Sequence, residues 1–141
     1  MSYSLFENLP ITQETVEEAY DFVFAPWVKD LGLRDFLVKP GFASAQLPIA
    51  DKLKFSSGAV CGQAIMAAID TVTAISMWTS DRMIKGTAYQ HTHFLRPAVN
   101  DDFLVEATVK RFGKSSAYAE CDVKYLTSGK LVAHGVLEFA F

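Results

Sequence analysis

The chain has 141 residues, half of them apolar and 13% aromatic, enough to bury a core of its own as one domain and far from a disordered composition. Thirteen basic and sixteen acidic residues leave a net charge of −3 with no basic run, which argues against a nucleic-acid partner. Cys61 and Cys121 are too few for a disulfide scaffold, no apolar run is long enough to span a membrane, and residues 1–20 lack the pattern of a signal peptide. A soluble cytoplasmic protein is the expectation.

Thr12, followed by Glu14, Glu17 and Glu18, has the form of a capped helix start with acidic residues near the positive end of the dipole. Val16, Ala19, Tyr20, Val23 and Trp27 then recur at three- and four-residue spacing, which predicts an amphipathic helix over 13–30, kinked or divided at Pro26. Extended runs are expected around 32–39 and 42–49, separated by the turn pair Pro40-Gly41. The stretch GAVCGQAIMAAIDT opens a helix from about 60 to 79 that is apolar on nearly every side. After Gly86 the period becomes two, through three alternating runs starting at Phe103, Ala117 and Leu131 and broken at 112–115 and 127–130. An antiparallel meander with one apolar face follows. Together these elements predict an α+β fold in which a curved antiparallel sheet wraps a long central helix, with an extra amino-terminal helix.

Asp70 stands alone as a carboxylate inside that helix, and burying a charge costs free energy unless it is paired. At 100° per residue, Ile65, Ala68, Val72 and Ile75 share a side suited to packing on a sheet. Gln63, Asp70 and Met77 line the opposite side, flanked by Met66, Ala67, Thr73 and Ala74. Two readings stand for Asp70: satisfaction by Thr71 or Thr73 with no chemistry, or a functional carboxylate of the kind that gathers at active sites. Gly58 and Gly62 leave backbone N–H groups uncovered at the helix start, where the dipole favours an oxyanion or a polarised carbonyl.

Asp70 within CGQAIMAAIDT, followed by FLRPA at 94–98 and the alternating strands, resembles the hotdog-fold acyl-CoA thioesterases of the PaaI-like type over residues 30–141. The resemblance divides the single domain into an amino-terminal helical segment, 1–30, and a hotdog core, 31–141. It implies hydrolysis of a small to medium acyl-CoA, with Asp70 as nucleophile or general base and the Gly62 N–H polarising the thioester carbonyl. It also implies a homodimer or dimer of dimers whose site lies between subunits. Cys61 stands where the family has His, Gln63 where it has a second Gly, and Phe55 where relatives often place Asn or Gln. Gln63, Ser56 or Ser57 could substitute for the missing helpers. Gln63, Cys61, Phe55, Thr73, His93 and Arg96 are the candidate substrate contacts.

Other patterns have bland counterparts. Cys61 near a helix start could be a nucleophile, yet cysteine also packs as a small hydrophobe. His91 and His93 share one side of a strand, a spacing a metal pair also shows, but with His134 as the one further histidine the ligand set is thin. They read as solvent-facing or interface residues, or in the case of His93 as a substrate contact beside FLRPA. Lys110, Arg111 and Lys114 could attract CoA phosphates or simply solvate a hairpin end. No cofactor and no metal is expected. The alternatives to a thioesterase are a non-catalytic acyl-CoA-binding or structural hotdog protein, and a hotdog hydratase or dehydratase, which needs a His paired with an acid.

Overall fold

Apolar residues on alternate positions of four central strands face one long helix, and this contact organises the rest of the chain. The computed structural model describes residues 8–141; residues 1–7 of the amino-terminal segment lie outside them. In chain order the elements are α1 (Val16–Val23), α2 (Pro26–Lys29), β1 (Arg34–Lys39), β2 (Phe42–Leu47), α3 (Gly62–Met77), β3 (Gly86–Phe94), β4 (Phe103–Phe112), β5 (Ser116–Tyr125) and β6 (Leu131–Ala140).

The expected helix over 13–30 is divided in two. Pro26 is the first residue of α2, where its missing N–H would have had no helical partner. Thr12 lies a turn ahead of α1, and its carbonyl accepts the N–H groups of Thr15 and Val16. Helix α1 buries Val16, Ala19 and Tyr20. The Tyr20 ring packs 4.9 Å from that of Phe36 in β1, which docks this segment on the sheet.

The six strands form one antiparallel sheet in the order β1-β2-β4-β5-β6-β3. The predicted meander β4-β5-β6 is its centre. Phe103, Val105 and Ala107, then Ala117, Ala119, Cys121 and Val123, then Ala133, Leu137 and Phe139 are buried beneath α3. The strand after the helix, β3, crosses over to pair with β6 and becomes a free edge. This is the expected hotdog architecture.

On α3, Ile65, Ala68, Val72 and Ile75 are buried against the sheet as the periodicity predicts, and so is Ile69. Full burial of each branched side chain is worth roughly 1.5–3 kcal/mol. The polar stripe is shorter than the sequence suggests. Gln63, Met66, Ala67 and Asp70 form it, whereas Thr73, Ala74 and Met77 are buried. Thr73 turns toward Cys121 of β5, and the amino-terminal segment covers the far end of α3: the Ile11 N–H donates to the Trp78 carbonyl, and Phe24 packs on the Trp78 ring at 5.4 Å.

Candidate active site

The start of α3 is held open by the chain on both sides of it. Cys61 is its N-cap but offers no side-chain hydrogen bond, and among the described residues the N–H of Gly62 has no partner. The loop ahead is fixed by backbone bonds from Cys61 N–H to Leu53 and from Val60 N–H to Ala98. The FLRPA segment explains itself here. Phe94 lies against Gly62 so closely that a Cβ would sit 3.2 Å from its ring. Leu95 and Arg96 N–H both donate to the Val132 carbonyl, and the Arg96 guanidinium donates to Leu131 at 2.6 Å. The Tyr125 hydroxyl donates to the Pro97 carbonyl. An open groove of about 460 Å³ runs along this seam, bounded by Phe55, Gly62, Ile65, Phe94 and Arg96.

Asp70 lies two turns further along the exposed stripe of α3. Its carboxylate accepts a 2.6 Å hydrogen bond from the Thr87 hydroxyl at the start of β3. Burial pushes its carboxyl above the ordinary 3.8, and the Thr87 hydrogen bond offsets part of that rise. Neither local partner expected for Asp70 is used. The Thr73 hydroxyl donates to the Ile69 carbonyl at 2.6 Å, and Thr71 is buried. Gln90, one pleat further along β3, donates to the Met66 carbonyl at 3.2 Å, so the strand is tied along the stripe. A carboxylate whose pKa is lifted and whose orientation is fixed can take a proton from water or attack an electrophilic carbon.

The structure brings Phe55, Gly62 and Arg96 to one groove. Cys61 and Gln63 instead border a second hollow of about 270 Å³ that includes Trp27, Leu31, Lys52 and Leu53. Thr73 is fully buried and turned into the core, outside both hollows. His93 projects from the opposite face of the sheet, since its neighbour Phe94 faces α3. In the basic cluster, Lys110 pairs with Glu120 at 3.3 Å. Thr87 and Gln90 escaped the sequence reading and Trp27 entered it only as part of a helical pattern, since strand register and the docking of α2 place them here.

A long helix wrapped by a curved antiparallel sheet defines the hotdog class. Residues 57–131 match the family model of the thioesterase superfamily, and the chain belongs to that superfamily. No curated protein matches it. Among solved structures, it is similar to a conserved protein of Pseudomonas aeruginosa at 26% identity, covering 83% of this chain and 94% of that one with a TM-score of 0.75. Thioesterase superfamily member 2 of zebrafish is 20% identical, with 92% and 98% of the two chains covered and a TM-score of 0.82. The PaaI protein from the phenylacetic acid degradation operon of Escherichia coli is 18% identical over the whole of both chains, with a TM-score of 0.79. The last two likenesses speak to the fold.

Proposed function

We propose that this chain hydrolyses a small to medium acyl-CoA to the free acid and CoA, with Asp70 as the catalytic carboxylate. The observation that carries this reading is the Asp70–Thr87 pair: a half-buried carboxylate with an upward-shifted pKa, oriented on the exposed stripe of α3. Asp70 either attacks the thioester carbon, forming a mixed anhydride that water then hydrolyses to the free acid, or draws a proton from a water that attacks the carbon itself. The electron pair displaced onto the carbonyl oxygen meets the free N–H of Gly62, and the CoA thiolate leaves.

The same reading requires two copies of the chain. Gly62 and Asp70 are eight residues apart on one helix, about 12 Å along its axis. A carbonyl carbon and its oxygen, each within about 3 Å of its partner, bridge about 7 Å in direct attack and about 10 Å when a water stands between Asp70 and the carbon. One protomer therefore supplies Gly62 and another supplies Asp70. The free edge of β3 beside Asp70 suits such pairing, with exposed Tyr89, Phe94 and Met66 around it. A homodimer, or a dimer of dimers, working without a cofactor in the cytoplasm completes the proposal.

The test is release of free thiol from a panel of acyl-CoAs by wild type and Asp70→Asn. Removing a general base or nucleophile is expected to slow turnover by roughly 10²–10⁴-fold. Equal rates in both proteins would assign hydrolysis to another residue. A second reading, acyl-CoA binding without turnover, is favoured by Cys61 and Phe55 in the places of the family's polar helpers. Tight binding with no thiol release by wild type would select it.

A further inference from the structure

All three histidines of the chain lie on the outer face of the sheet beside its free edge, away from α3 and the proposed thioester site. The strand register puts His93 opposite His134, and His134 opposite Asp122. His134 Nδ1 donates to the Asp122 carboxylate at 2.6 Å. His91 and His93 turn their Nε2 atoms toward each other at 3.1 Å, with ring planes 74° apart. Without a metal, that contact needs one proton between two lone pairs.

A metal ion suits the same geometry. Two imidazole nitrogens, each about 2.0–2.1 Å from one ion, are about 2.9 Å apart at a right angle and about 3.3 Å apart at the tetrahedral angle. The observed 3.1 Å falls between them. We propose that His91 and His93 form a two-imidazole chelate for one divalent transition-metal ion, of the class that imidazole prefers: zinc, nickel or copper. The ion takes the place of the shared proton, and water fills its other positions.

Among the described residues no three His, Cys, Asp or Glu side chains converge on one point, so the protein supplies two donors; His134, opposite His93, has its Nδ1 on Asp122. Both imidazoles are exposed, and strand pairing at the β3 edge uses backbone groups in the sheet plane, so the chelate stays accessible in a dimer.

The experiment is calorimetric titration of the whole, chelator-treated protein with zinc chloride and, separately, nickel chloride. Wild type, His91→Gln, His93→Gln and His134→Gln are compared, with thermal melts in the absence of metal confirming that each is folded. Saturable binding is expected in wild type and in His134→Gln, with affinity at least about tenfold weaker in each of the other two. Nickel should raise the melting temperature of the wild type and leave that of His91→Gln unchanged. Absence of saturable binding by wild type would overturn the proposal. So would wild-type affinity in both single variants of the pair, or an equal loss in His134→Gln, which would move the ion to a different donor set. Neither result bears on thioester hydrolysis, whose residues lie on the other face.

Discussion

At the scale of single residues, the two ionisable groups under α3 and on its stripe are displaced by the same cause and predict opposite behaviour. Asp70 has a folded-state pKa raised by burial, so the folded chain holds its proton more tightly than the unfolded one. Its contribution to stability is therefore fully present below the ordinary 3.8 and is lost as pH rises through the folded value. Asp70→Asn, which keeps an acceptor for Thr87 without the charge, should melt higher than wild type at pH 7. The difference should narrow in melts taken at falling pH, toward 3.8. Stability gained where activity is lost would mark Asp70 as a residue kept for chemistry. Cys121 makes the complementary case. Burial pushes its thiol up to about 12, the Thr73 hydroxyl offsetting only part. A thiol reagent should thus count one reactive cysteine in the native chain, the half-exposed Cys61, and two in denaturant. Two fast-reacting thiols in the native chain would place Cys121 nearer the surface than this fold allows.

Between elements, a glycine permits the close approach of α3 to β6. A Cβ on Gly135 would lie 3.1 Å from the Ile69 methyl, so the strand has no room for a side chain beneath the helix. Gly135→Val should destabilise the chain by about 1–3 kcal/mol through overpacking, read as a lower midpoint in urea with an unchanged slope. The same contact separates what local pattern can reveal from what it cannot. The buried side of α3 was readable because Ile65, Ala68, Val72 and Ile75 repeat within one helix, and the β4-β5-β6 meander because alternation and short breaks are also local. The crossing of β3 to the far side of β6 depends on pairing between residues about 40 positions apart, such as His93 with His134. Asp70 was therefore legible as a buried carboxylate, while its partner Thr87 was not. Met77 had the spacing of the stripe, but the amino-terminal segment, through Ile11 and Phe24, covers that end of the helix, which no helical wheel contains.

At the scale of the whole molecule, the proposed chemistry depends on where two copies of α3 stand relative to each other. Gly62 offers a clean way to test this, because it is the first residue of α3 and Cys61 before it has φ −68° and ψ 150°. That extended backbone is what a following proline requires, and proline is well tolerated at the first helical position. Gly62→Pro thus removes one N–H while leaving the helix start in place, apart from a small shift of the Phe94 ring. By itself it should lower turnover by about 10²–10³-fold, the usual loss of one oxyanion donor. Mixed in equal amounts with Asp70→Asn and allowed to exchange subunits, it should restore activity. Half of the dimers are then mixed, and each mixed dimer holds one site with an intact Gly62 facing an intact Asp70. The mixture should therefore reach about a quarter of the wild-type rate, given two equivalent sites related by twofold symmetry. If Gly62 and Asp70 of the same chain acted together, every site in the mixture would lack one of them and no activity would return. Recovery would establish that the thioester is held between two helices from different chains, as the proposed function has it.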